Sequence, residues 1–209
     1  MISVEDLQIK RSPEELSEFV QSTFEAIRAD EGVRKTARLR QPPFKELIEE
    51  IYPLSVFCNL KYKGNSVKCC PVIGNQGYDA RIETEEGELV EIVEITWPID
   101  GQEMHTQVLQ LNDKGFTDAK VWDANDNKNR REIIDRIIGA ANKKAVKDYS
   151  EPVGSSLVFV IDIAPYFGMA EIEYPEDIEL LKHQLEEIKY RVKSVYLLLL
   201  PVNKMIDIK

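Results

Sequence analysis

The sequence predicts an α/β protein with a mixed central β-sheet flanked by helices. Three observations predict it: a β-hairpin pattern from Gly77 to Thr96, an apolar β-rich run from Leu157 to Ile163, and amphipathic helical patterns set between strand candidates along the chain. The hairpin is the organising stretch. Tyr78 to Thr84 reads as one strand, Glu85-Glu86-Gly87 as the turn and Glu88 to Trp97 as the second strand. Side chains alternate along a strand, so Leu89, Val93, Ile95 and Trp97 should share one face, and Val90, Ile92, Glu94 and Thr96 the other.

The remaining elements follow in order. Ser12-Pro13-Glu14-Glu15 opens a helix, with Ser12 as cap, Pro13 at the first helical position and Glu15 closing a capping box. Leu16, Phe19, Val20, Phe24 and Ile27 give it one buried stripe, and it should stop near Asp30-Glu31-Gly32. Val33 to Arg40 reads as a linker carrying Arg34, Lys35, Arg38 and Arg40, either a solvated charge run or a strip for phosphates. Residues 1–40 are thus expected as an N-terminal helix and basic linker packed on the core, and residues 41–209 as a single α/β domain.

Phe44 to Ile51 begins a second helix, with Phe44, Leu47, Ile48 and Ile51 inward. Pro53 kinks or restarts it, and Leu54, Val56, Phe57 and Leu60 continue its buried side. Val67 to Ile73 is a strand candidate weakened by Pro71, and Gly74 to Gly77 is a turn into the hairpin. After the hairpin, Asp100 is placed to cap a helix to about Asp113, carrying His105, Gln107 and Gln110. A short strand at Val121-Trp122 follows. Asp126 to Asp148 is the longest helical pattern, with Ile133, Ile134, Ile137, Ile138, Ala141 and Ala145 inward and a basic remainder that includes Lys143 and Lys144. Leu157 to Ile163 is a central strand, and Pro175 starts a last helix with Ile178, Leu181, Leu185, Ile188 and Val192 inward. Val195 to Val202 is a final buried strand.

Composition narrows the function. The chain has 209 residues, is 43% hydrophobic, and carries a formal net charge of −10, which argues against a protein that coats nucleic acid generally. No apolar run approaches the ~20 residues that span a bilayer. The start of the chain lacks a basic segment followed by an apolar one, so a cytoplasmic setting is expected. Cys58, Cys69 and Cys70 make a poor disulfide framework, and the two histidines give no zinc spacing, so reduced thiols are the reading.

Glu94 is the residue that asks for chemistry, because a carboxylate deep in an apolar strand is costly to bury unless paired or bound to a metal. Asp79 lies on the partner strand. The purely structural alternative pairs these acids with Arg81 or with a lysine of the long helix. An Asp on one strand followed by Glu-x-polar on the next resembles the PD-(D/E)xK nuclease superfamily, also called restriction-endonuclease-like, over roughly Glu46 to Ile163.

That resemblance implies the restriction-endonuclease-like fold and a Mg²⁺ (or Mn²⁺) site. Its metal ligands would be Asp79, Glu94 and the backbone carbonyl of Ile95, which suits a hard cation that prefers oxygen donors. Thr96 stands at the position of the motif lysine, where it can only donate or accept a hydrogen bond. Removing one electrostatic interaction of that kind costs ~10²–10³ in rate. The resemblance also implies an acid from the preceding helix, Glu46 or Glu50, a polar helper such as Gln107 or His105, and a relocated lysine at Lys143 or Lys144. Asp118-Ala119-Lys120 imitates the signature without a partner acid and is set aside, and Asp162 reads as a strand-end residue. Two functions are consistent with this pattern: a metal-dependent nuclease that cuts or binds DNA, and a silent domain of the same fold serving protein interaction or ligand binding; a homodimer or a protein partner is the partner expectation beside DNA.

Overall fold

The computed structural model describes residues 2–74, 76–98, 101–114, 127–147, 154–200 without 163–174, and 202–209. The chain forms two compact units. One comprises Met1–Ile95 with Asp100–Asp118, the other Thr96–Ile99 with Ala119–Lys209. Strands of both orientations lie among helices, so the expected mixed α/β class is the class found.

The first unit begins with helix α1 (Val4–Leu7) and helix α2 (Pro13–Ala29). The capping box forms as the sequence predicts: the Glu15 N–H donates to Ser12 Oγ at 3.2 Å, and the Ser12 N–H donates to Glu15 Oε2 at 2.7 Å. Leu16, Val20 and Ile27 are buried. Phe19 and Phe24 are only half-buried, and they meet neighbours that the helical period alone does not reveal. The Arg11 guanidinium lies 3.8 Å from the Phe19 ring centre, and Phe24 packs edge-on to Tyr52 at 5.3 Å.

Residues expected as a linker form helix α3 (Glu31–Arg38). Asp30 explains the difference, because it ends α2 and also caps α3, its Oδ1 accepting from the Val33 N–H at 3.0 Å. Helix α4 (Phe44–Glu46) runs into a π-helical turn (Leu47–Ile51) and then helix α5 (Tyr52–Tyr62). Pro53 has no N–H to return to the Glu49 carbonyl, and the Tyr52 N–H reaches five residues back to Leu47. Leu54 and Phe57 are buried as expected. Val56 is half-buried and Leu60 is 40% exposed, their expected places inside being taken by Ser55 and Cys58.

Three antiparallel strands complete this unit: β1 (Val67–Pro71), β2 (Ala80–Thr84) and β3 (Leu89–Thr96), the last residue of β3 being grouped with the second unit. Pro71 closes β1, where the missing N–H costs least. The hairpin turn places Gly87 at φ 88, with its N–H on the Thr84 carbonyl at 3.0 Å. Gly87→Ala should therefore cost about 1 kcal/mol through left-handed backbone strain, although nothing lies within 4 Å of the added methyl. A denaturation midpoint equal to wild type would refute this. Pairing runs Ile82 to Glu91 but Glu83 to Leu89, so Val90 is an extra residue and the strict alternation expected for β3 breaks there. Leu89 consequently goes with Glu83 rather than with Val93 and Ile95. Helix α6 (Gly101–Lys114) also belongs to this unit.

The second unit holds helix α7 (Asn127–Ala145), β4 (Ser155–Asp162), helix α8 (Pro175–Glu186), β5 (Ser194–Leu200) and β6 (Lys204–Asp207). β4 and β5 are parallel, and β5 and β6 antiparallel. Leu157, Phe159, Ile161, Leu197 and Leu199 pack with Ile134, Ile137, Ala141, Ile178, Leu181 and Leu185. These are the stripes that the sequence predicts for the two helices, meeting alternate residues of two apolar strands. β6 was not expected: it is short, and half-buried or exposed at every position, so it has no apolar period to read. Asp100, Asp118-Ala119-Lys120, the Val121-Trp122 strand and the 164–174 loop lie outside the described residues.

Candidate metal centre

β2 begins at Ala80, opposite Val93, and one residue earlier the pairing changes character. The Asp79 N–H donates to the Val93 carbonyl at 2.9 Å, and the Asp79 carboxylate (Oδ2) accepts from the Ile95 N–H at 2.6 Å. Asp79 thus grips the β3 backbone on both sides of Glu94, and the second bond is short and charge-assisted. The expected neighbours Asp79, Glu94 and Ile95 are therefore brought together through the backbone. Glu94 itself is buried at 6% exposure, as its strand position predicts.

One acid of the preceding helix, Glu50, lies within reach of the Asp79 charge. Burial, then the negative charges of Asp79, Glu46 and Glu49, push the Glu50 carboxyl up to about 7, opposed by Lys45. Glu49 and Glu50 sit on the π-helical turn, a form of helix that recurs at functional sites. Glu46 Oε2 is buried without a hydrogen-bond partner among the described residues. An orphaned carboxylate oxygen beside a carboxyl held near neutrality is a set of hard oxygen donors short of positive charge, and a divalent cation supplies that. Among the described residues no three His, Cys, Asp or Glu side chains stand close enough together to enclose a metal ion by themselves. A metal here would take one or two carboxylates and a carbonyl, keeping water elsewhere, which is the habit of Mg²⁺.

The titration of Glu50 gives a stability prediction with a definite sign. Its carboxyl is raised from the ordinary value near 4.5 to about 7, so the folded protein binds the extra proton between those limits. The stability contribution is complete below 4.5 and is lost as pH rises through 7. Glu50→Gln should match wild type at pH 5 and exceed it at pH 8 by about 1–2 kcal/mol, a figure discounted for the solvent that reaches this half-buried side chain. Melting curves of the two proteins that stay parallel across this range would contradict it.

Thr96 is 7% exposed, and its hydroxyl has no hydrogen-bond partner among the described residues. It falls in the second unit, as do Lys143 and Lys144, of which Lys143 is exposed and Lys144 half-buried. Gln107 and His105 are on α6 as the sequence predicts, but their side chains, like that of Asp162, lie outside the described residues.

Two further buried acids escaped sequence reasoning. Glu91, on β3, accepts from Lys61 Nζ at 2.9 Å through both oxygens and from the Tyr62 hydroxyl at 2.5 Å. Glu83, on β2, pairs with Lys10 at 2.5 Å and with Arg81 at 3.1 Å. Arg81 is thus engaged by a neighbour on its own strand, whereas the structural alternative had offered it to Asp79 or Glu94. The signal available in advance was that Glu91 interrupts the apolar face of Val93 and Ile95 just as Glu94 interrupts the other. Lys61 and Tyr62, its partners, are the last two residues of α5.

No family model matches the chain, and no curated protein matches it. Among solved structures, the chain is similar to Pyrococcus furiosus SfsA in complex with Ca²⁺, at 14% identity and a TM-score of 0.24, over 78% of this chain and 60% of that one. The chain thus spans less than two thirds of that protein's length, and a likeness this slight transfers neither fold nor activity.

Proposed function

We propose that the chain is a metal-dependent nuclease-like protein of the PD-(D/E)xK type that acts on or binds DNA phosphodiesters. The observation that carries this reading is Asp79, whose carboxylate holds the β3 backbone beside the buried Glu94 and whose charge acts on the helix acid Glu50. Asp79, Glu94 and the Ile95 carbonyl are the proposed ligands of Mg²⁺ or Mn²⁺, with Glu50 next to them. When bound, the cation neutralises charge building on the scissile phosphate. The chain's own part is positional. The Asp79–Ile95 bond fixes the first carboxylate, and burial keeps Glu94 from wandering into solvent. Glu50, raised to about 7 when no cation is present, would lose its proton beside one, so cation affinity would rise as pH passes 7.

Thr96 favours a second reading, a silent domain of the same fold that binds a protein partner, a second copy or a small ligand. Its hydroxyl carries no charge to offer a phosphorane, and the net charge of −10 repels polyanions. Cleavage of supercoiled plasmid and single-stranded DNA with Mg²⁺ or Mn²⁺ separates the two, beside an Asp79→Ala, Glu94→Ala double variant. Metal-dependent cutting that the double variant lacks supports the hydrolase. No cutting by either protein, with no metal binding by calorimetry, leaves the silent domain.

A further inference from the structure

We propose that the outward face of α3 is the track along which the phosphate chain of a polynucleotide reaches the acid cluster, with Arg34, Lys35 and Arg38 each facing a phosphate. Helical geometry puts the three on one side: Arg34 and Arg38 are four apart and Lys35 and Arg38 three apart, with the buried Ala37 beyond the Arg34 edge of that arc. Lys35 and Arg38 are exposed and Arg34 is half-exposed. None of the three has an ion-pair partner among the described residues, in a chain where 37 acidic residues outnumber 27 basic ones. Cations without an ion-pair partner among the described residues, crowded on two helical turns of so acidic a protein, repel one another, and a polyanion relieves that repulsion.

The track also leads to a definite place. After α3 the backbone turns at Arg40, with φ 52, and the Arg40 guanidinium reaches Glu49 Oε1 at 3.4 Å. Glu49 belongs to the π-helical turn that carries Glu50, so this ion pair ties the end of α3 to the acid cluster. Lys45, exposed on α4, lies close enough for its charge to act on Glu50. A phosphate chain lying on α3 is thereby delivered next to carboxylates that would repel it without intervening cations. The inference rests on the hydrolase reading only for what happens at the end of the track.

The test is fluorescence anisotropy with a labelled single-stranded oligonucleotide and the matching duplex, across a salt series with Ca²⁺ present. Wild type, a Lys35→Glu, Arg38→Glu variant and a Lys63→Glu control at the exposed end of α5 are compared, with circular dichroism to verify folding. The expected result is at least ~10-fold weaker binding by the double variant and a log–log salt slope shallower by about 2, one unit for each phosphate no longer neutralised. The control should behave as wild type. Equal affinity and slope in wild type and double variant overturn the proposal, as does an absence of oligonucleotide binding by wild type at low salt. Strip-dependent binding of heparin alone also overturns the polynucleotide assignment. Strip-dependent binding without metal-dependent cutting leaves this inference standing and removes the hydrolase. Cutting that is indifferent to the strip does the reverse.

Discussion

Asp79→Asn should lower metal-dependent cleavage by about 10²-fold or more and weaken Mg²⁺ binding measured by calorimetry, while leaving the fold intact. The substitution separates the two tasks of this side chain. An amide oxygen can still accept from the Ile95 N–H, so the clasp at the end of the hairpin persists. What disappears is the negative charge. Asp79 is the charge that acts most strongly on Glu50, so its neutralisation should also let the Glu50 carboxyl fall back from about 7 toward the ordinary range, as far as burial allows. The variant therefore has a signature that simple damage would not produce: reduced metal affinity together with a weaker decline of stability from pH 5 to pH 8. An Asn variant that cuts DNA and binds Mg²⁺ like wild type would remove Asp79 from the site.

Glu91→Ala should be the most destabilising single change near the hairpin, at about 3–5 kcal/mol. The truncation leaves the Lys61 ammonium and the Tyr62 hydroxyl without the carboxylate that satisfies both, and Tyr62 is buried. The expected fall in melting temperature is roughly 6–20 °C, taking about 2–4 °C per kcal/mol for a chain of this size. Much of that cost comes from stranding the partners. Glu91→Leu combined with Lys61→Met should therefore recover a large part of the stability. A Glu91→Ala protein that melts within a few degrees of wild type would show that water solvates Lys61 without help from Glu91.

The sequence was most legible where one local rule decided the outcome. Ser12 with Glu15 marked a helix start to the residue, and the stripes of α7 and α8 named most of the core that they form with β4 and β5. Legibility failed where one residue had two jobs. Asp30 ends one helix and caps the next, so in sequence the residues of α3 read as a linker. Val90 is accommodated by a bulge, so strict alternation misplaced Leu89. At the proposed site, the cost of burial singles out Glu94, and a place on the partner strand singles out Asp79. That Asp79 binds a backbone amide, and that the Glu50 carboxyl is raised to about 7, depends on distances across the hairpin and between helix and hairpin. Sequence spacing does not contain those distances.

The π-helical turn has a consequence for how this protein can vary over time. Such a turn is what an α-helix becomes when it gains one residue without breaking, the surplus being absorbed as a single wide loop of backbone. The reverse step is open to the chain: a one-residue deletion within 47–51 would let the segment close into regular helix, and the flanking apolar residues would need to turn by only about 100° to re-pack. Glu49 and Glu50 would turn with them, away from Asp79 and Arg40. The acid cluster is thus held in place by a length, one residue long, as much as by the identity of its carboxylates. Relatives that keep every acid but lose that residue would carry the letters of the site without its geometry.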